Sequence, residues 1–358
     1  EIMSMREQAQ TISSATCRAT NLLPCIHHTH QITKGMITFI VTTYNLEDWL
    51  LRRCLKSIVE QDITDYEIIV VDDESTVSPQ HVVDEFVAQA NITLYVQKHA
   101  RQGAARNLAL SYAKGDWVQF VDGDDYLFVG TIAPLLCCAE AEELDLLMFG
   151  FREVQDEPVS YSYTENSCQF SVTTGDSYML HKNLFGSCCT LMFRRGLLDD
   201  TLYGAPLRFT EGIYIEDEEF VTRLMWRAQR VACTDIPVYA YYQRAGSTVH
   251  SRSREHIDEL FRNYFVVLRR LLDFEASLVS MPHDGVTRKV RFFAVDILRR
   301  SLREPDWKRR WHESAQQLSF LGLYPLPTAR YSWKYSVFCL LTKCSLGCRI
   351  LRMIEKDK

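Results

Sequence analysis

The chain has 358 residues, 47% of them hydrophobic and 24% charged, the proportions of an ordinary soluble globular protein. Its length points to two structural parts, and no uninterrupted apolar run reaches the ~18 residues that a spanning helix needs. The formal net charge of −6 is uneven: residues 286–358 carry 16 Lys and Arg against 6 Asp and Glu, a local +10 that leaves −16 for the rest. A basic end of this kind suggests an anionic partner, membrane lipid or nucleic acid.

Residues 1–35 are polar and broken, with no apolar core of signal-peptide length, and read as a disordered leader or a start-site artefact. The 12 cysteines follow neither a disulfide framework nor a zinc pattern, and are expected to be reduced core residues of a cytosolic protein. The histidines, including His27, His28 and His30, show no ligand spacing.

Residues 36–43 (MITFIVTT) read as a central parallel strand. Asn45 follows as an expected helix N-cap, and Leu46, Trp49, Leu50, Cys54, Leu55, Ile58 and Val59 share one helical face. A buried strand over 67–71 ends in Asp72–Asp73, and Ser78–Pro79 open a helix to about residue 90. A strand over 92–97, a helix over 103–113 and a strand over 116–121 come next, then a helix over 132–142 and a strand over 144–149. This alternation predicts a parallel sheet covered on both faces, with ligands beyond the carboxyl ends of its strands. From about residue 159, Tyr161, Tyr163, Phe170 and Val172 alternate with polar residues as in antiparallel strands. A helix follows Glu216–Asp217, a strand covers 238–242, and helices cover about 257–274, 286–302, 307–321 and 331–354.

The stretch WVQFVDGDDYL concentrates the chemistry. A buried strand runs into Asp122, Asp124 and Asp125, carboxylates that repel one another in one loop unless a cation lies between them. Hard ions such as Mg²⁺ and Mn²⁺ take such oxygens and keep room for substrate phosphates. A solvated turn is the plainer alternative, since Asp and Gly are common turn residues.

TTYN, IIVVDDEST, RQGAARNLALSYAKGDWVQFVDGDDYL and IEDEEF, in that order, resemble the signature of family 2 glycosyltransferases over about residues 36–250. The resemblance implies an α/β GT-A fold, Rossmann-like, with a mostly parallel sheet and helices on both faces, followed by a C-terminal helical region over 251–358. It implies a nucleotide-sugar half over 36–150 and an acceptor-side half over 151–250. Asp122 and Asp124 match the pair that holds Mn²⁺ or Mg²⁺ against the donor diphosphate, while Asp125 is assigned to orienting the loop or a sugar hydroxyl. Thr43 and Tyr44 match the strand end that frames the base, and Asp72 or Asp73 the carboxylate facing base or ribose, which would favour a UDP-sugar. Arg106 matches a donor-contacting position, with a salt bridge to nearby acids as its alternative. Asp217 matches the catalytic base of an inverting transfer, taking a proton from the acceptor hydroxyl; a helix cap in an acidic run is the alternative. There the helix dipole lowers its pKa and burial raises it. Tyr241, Arg244, Ser247 and His250 resemble the segment that closes the site, with His250 a candidate metal or diphosphate ligand. Glu74, Val77 and the loop before Gly103 depart from the family pattern and leave donor preference open.

The implied activity is transfer from a nucleotide-diphosphate sugar to a glycan or lipid-linked acceptor in bacterial surface-polysaccharide synthesis. The expected location is cytoplasmic, peripheral on the inner face of the plasma membrane if the basic C-terminal helices bind lipid; nucleic acid is not an expected partner. Two other readings are a response-regulator receiver, whose spaced Asp residues Asp72–Asp73 and Asp122 imitate, and a catalytically silent sugar-nucleotide binder.

Overall fold

The computed structural model describes residues 35–155, 170–199, 206–243 and 253–355. Among them, one compact unit takes in 35–175 and 186–243, and a second takes in 176–185 and 253–355.

The first unit is built on an eight-stranded sheet in the order β3-β2-β1-β4-β7-β6-β8-β5. Its strands are β1 (Ile37–Thr43), β2 (Tyr66–Asp72), β3 (Ile92–Val96), β4 (Trp117–Asp122), β5 (Tyr126–Leu127), β6 (Leu146–Val154), β7 (Leu191–Arg194) and β8 (Val231–Tyr242). All seven residues of β1 are buried, as its unbroken β-branched and aromatic run requires of a strand covered on both faces. β1, β2, β3 and β4 pair in parallel. The other half is mixed: β7 runs antiparallel between β4 and β6, β6 and β8 are parallel, and β5 is antiparallel to β8. The sheet is therefore mostly parallel, as expected, its antiparallel pairings being those made by β7 and β5.

The helices of this unit are α1 (Asp48–Val59), α2 (Gln80–Asp84), α3 (Arg101–Tyr112), α4 (Ile132–Ala141) and α6 (Glu216–Arg227); α5 (Gly175–His181) belongs, from Asp176 on, to the second unit. α3 packs on β1 and β2, and α1 on β5.

Four expectations are corrected. Asn45 is not a helix N-cap: it sits at φ 45°, and α1 starts after Glu47. Asn45 instead latches two loops, its side-chain oxygen accepting from Thr76 N–H at 2.8 Å while its own N–H donates to Ser75 Oγ at 2.7 Å. The helix expected to reach residue 90 is α2, only five residues long. Phe170 and Val172 belong to no strand; beside them only Thr173 bridges Val231, and Tyr161 and Tyr163 lie outside the described residues. Among the described cysteines, Cys138 is disulfide-bonded, whereas Cys54, Cys188, Cys189 and five others are free thiols.

The second unit comprises α7 (Arg254–Ser277), α8 (Asp284–Arg303), α9 (Trp307–Phe320), α10 (Trp333–Leu341) and α11 (Ser345–Glu355). α8 is its centre, packing on α7, α9 and α11. Arg288 of α8 holds residues 176–185 to this unit by donating to the carbonyls of Met179 and Lys182, each at 2.7 Å. The buried Glu355 carboxylate ties α11 to α8 through Arg299 and Arg303, at 2.7 and 2.8 Å. Among the described residues no helix is long and apolar enough to cross a membrane.

Candidate active site

Three neighbouring parallel strands end side by side. Register sets Thr43 opposite Asp72 and Thr42 opposite Asp122. The ladder continues one step further, with Asp73 N–H donating to the Thr43 carbonyl and Gly123 N–H to that of Thr42, both at 3.0 Å. A Cβ on Gly123 would stand 2.9 Å from the Thr42 oxygen, so the turn between Asp122 and Asp124 needs a glycine for close approach.

α3 brings a cation to this rim. Gln102 and Arg106, one helical turn apart, point the same way. Gln102 Nε2 and Arg106 Nη2 both donate to Asp122 Oδ1, at 2.5 and 3.0 Å. Arg106 Nη1 donates to Asp217 Oδ1 at 2.5 Å and to Glu216 Oε1 at 2.9 Å. One guanidinium, only 2% exposed, thus joins the acidic loop after β4 to the first turn of α6. Burial works against its charge, but Asp217 and its neighbours outweigh that and push its pKa above the usual arginine value.

α6 opens with Glu216, Asp217, Glu218 and Glu219 in its first turn, where the helix dipole favours carboxylates. Burial nevertheless dominates. It raises the Asp217 carboxyl above its ordinary value, with Arg106 pulling the other way, and it raises Glu216 to about 8 with help from Asp217. Asp217 Oδ2 accepts from Cys188 N–H at 3.3 Å, and the side chain stays 21% exposed.

Asp125 is buried and fully engaged: Oδ2 accepts from Tyr239 Oη at 2.5 Å and Oδ1 from Tyr242 N–H at 2.7 Å. Burial, then Asp124 and Asp122, hold its pKa well above the usual carboxylate range. The Arg53 guanidinium lies over the rings of Trp49, Tyr126 and Tyr242 and donates to the Asp124 carbonyl at 2.7 Å.

Asp73 starts α3 from outside the helix. Its oxygens accept from Ala100 N–H and Arg101 N–H, each at 2.9 Å, and from Gln97 at 2.7 Å, holding Arg101 at φ 71°. Asp72 accepts from Ser75, Oγ at 2.5 Å and N–H at 3.2 Å. Tyr44 is half exposed and stacks on His99 with centroids 4.5 Å apart.

The structure thus gathers Thr43, Tyr44, Asp72, Asp73, Arg106, Asp122, Asp124, Asp125 and Asp217 around one end of the sheet. Gln102, Glu216, Arg53 and Tyr239 are members that the sequence reading missed. The i,i+4 spacing of Gln102 and Arg106 was the one available signal. Arg244, Ser247 and His250 lie outside the described residues.

Asp122 and Asp124 offer hard oxygens from one loop, which suits an ion held by one or two carboxylates and completed by substrate phosphates. Among the described residues no group of three His, Cys, Asp or Glu can hold an ion alone.

The family model described as glycosyl transferase family 2 matches residues 38–202. The chain is 30% identical over 225 residues to glycosyltransferase GlyA of Streptococcus pneumoniae, covering 59% of this chain but 31% of that one. It is 26% identical to the glycosyltransferase EpsJ of Bacillus subtilis, covering 63% of this chain and 66% of the relative. The chain therefore spans less than two thirds of either relative. A crystal structure of a Staphylococcus aureus TarS fragment with UDP-GlcNAc superposes with a TM-score of 0.63 at 19% identity, covering 89% of each chain, a likeness of fold.

Proposed function

We propose that this chain, whose residues 38–202 match the glycosyl transferase family 2 model, is a metal-dependent inverting transferase. It moves a sugar from a nucleotide-diphosphate sugar, a UDP-sugar by preference, to a hydroxyl of a glycan or lipid-linked acceptor in bacterial polysaccharide assembly. The observation that carries this reading is the bridge through Arg106, which sets the acidic loop of Asp122 and the carboxylate of Asp217 on one site.

Asp217 is the base. Its pKa, raised by burial, makes it a better proton acceptor than an ordinary carboxylate, and its exposed edge lets an acceptor hydroxyl approach. Arg106 and the Cys188 N–H fix its orientation. Asp122 and Asp124 would hold Mn²⁺ or Mg²⁺, which when bound neutralises charge on the departing diphosphate. Arg106 serves as a positioning residue between the two carboxylates. Tyr44 offers a face for the base, and Asp72 or Asp73 would face the base or ribose. The UDP-GlcNAc in the TarS fragment supports a UDP-sugar donor.

The test is a panel of nucleotide sugars, each with and without Mn²⁺, read by thermal unfolding. A donor at a hundred times its Kd stabilises by about 2.7 kcal/mol, or roughly 5–10 °C for a domain of this size. Stabilisation that needs both donor and Mn²⁺ supports the proposal. A panel without any stabilising member, or stabilisation indifferent to the ion, contradicts it.

A further inference from the structure

The last two helices turn apolar rows toward solvent. On α10, Trp333, Val337 and Leu340 stand at i, i+4 and i+7, and on α11 Leu346, Ile350 and Met353 repeat that spacing. Trp333, Leu340, Leu346 and Met353 are 72%, 65%, 66% and 74% exposed. The opposite faces are already used: Tyr335, Phe338 and Cys339 are buried on α10, and Cys348 and Leu351 on α11. The helices meet closely, because Gly347 has no room for a Cβ, which would lie 2.1 Å from the Leu341 carbonyl oxygen. A helix apolar on its outer side as well as its inner one is expected to be covered.

Charge identifies the cover. Residues 330–355 contain Arg330, Lys334, Lys343, Arg349 and Arg352 but a single acid, Glu355, which is buried under Arg299 and Arg303. The solvent face of the pair is therefore cationic and apolar together, with exposed Lys334, Lys343 and Arg349 beside the apolar rows. A second copy of this face would set like charges against each other. An anionic lipid surface satisfies both features, the apolar side chains entering the acyl boundary and the cations meeting headgroups, with Trp333 of the type that favours that boundary. We propose that α10 and α11 form a monotopic docking surface for an anionic bilayer. The inference concerns the second compact unit and does not depend on the transferase reading.

Co-sedimentation of the full chain with phosphatidylglycerol–phosphatidylcholine vesicles tests it, against phosphatidylcholine vesicles alone. The wild type should pellet with the anionic vesicles and be released by salt. Trp333→Ser with Met353→Ser should weaken binding roughly tenfold or more. Lys334→Gln, Lys343→Gln and Arg349→Gln together should weaken it roughly a hundredfold, at ~1 kcal/mol per cation. The charge variants touch only exposed positions and carry the test should the apolar pair fail to fold, which circular dichroism reports. No vesicle binding by the wild type, equal binding to neutral vesicles, or unchanged binding by the charge variants overturns the proposal. So does a dimer in solution that Trp333→Ser with Met353→Ser dissociates, because a second copy would then be the occupant.

Discussion

Replacing Arg106 by Met removes the one positive charge that pairs with Asp122, Glu216 and Asp217 among the described residues, while keeping much of the side-chain volume. The three contacts are 3.0, 2.9 and 2.5 Å, and the guanidinium is 2% exposed, so water cannot easily substitute for it. Removing one partner of a buried ion pair costs about 3–5 kcal/mol. Asp122 and Asp217 are 28% and 21% exposed and recover some solvation, which places the expected loss toward the lower bound, near 3 kcal/mol. The loss should also depend on pH with a defined sign. Glu216, at about 8, and Asp217 already have folded pKa values above their unfolded ones. Each therefore costs nothing when protonated in both states, below the ordinary value of ~4, and costs more as pH rises toward its folded pKa. Without Arg106 those folded values rise further, so the variant's deficit should grow with pH and be larger at pH 8 than at pH 5. Urea unfolding at the two pH values measures this. A deficit under ~1 kcal/mol at pH 8, or equal deficits at both pH values, would refute the bridging role.

Further outcomes follow from the same geometry. Asp124→Ala should abolish Mn²⁺-dependent stabilisation by a nucleotide sugar, read by thermal unfolding, with the fold intact. The acid limb of kcat/KM should lie above the usual carboxylate pKa of ~4, because activity falls as Asp217 protonates and its pKa is raised by burial; a limb at or below that value would contradict the assignment. Gly175→Ala should destabilise by about 1–3 kcal/mol or more, since its Cβ would fall 1.6 Å from the Met225 carbonyl oxygen.

The parallel half of the sheet was legible because its strands are continuous apolar runs separated by helical periodicity. β8 was read only over its last residues, 238–242. Thr234, Asp235 and Pro237 interrupt its apolar pattern, and the strand survives them through irregular pairing with β6 at Gly150, whose missing Cβ would sit 2.8 Å from the Asp235 carbonyl. Asn45 has cap chemistry, yet its partners are Ser75 and Thr76 across two strand ends, a pairing invisible to local spacing. The candidate carboxylates were legible from their motifs, whereas Gln102 and Glu216 were not, because their roles exist only through Arg106 and Asp122 in three dimensions. The sequence left open whether dipole or burial governs Asp217; the packing around α6 decides for burial. In α10 and α11 the periodicity was readable, but two apolar faces on one helix do not reveal which is covered.

The most direct test of the account measures release of nucleoside diphosphate from a stabilising nucleotide sugar, with Mn²⁺ and an acceptor preparation, by wild type and by Asp217→Asn. The variant should bind donor like the wild type and turn over about 10²–10⁴-fold more slowly, the range for loss of a general base. Turnover by Asp217→Asn at the wild-type rate would contradict it.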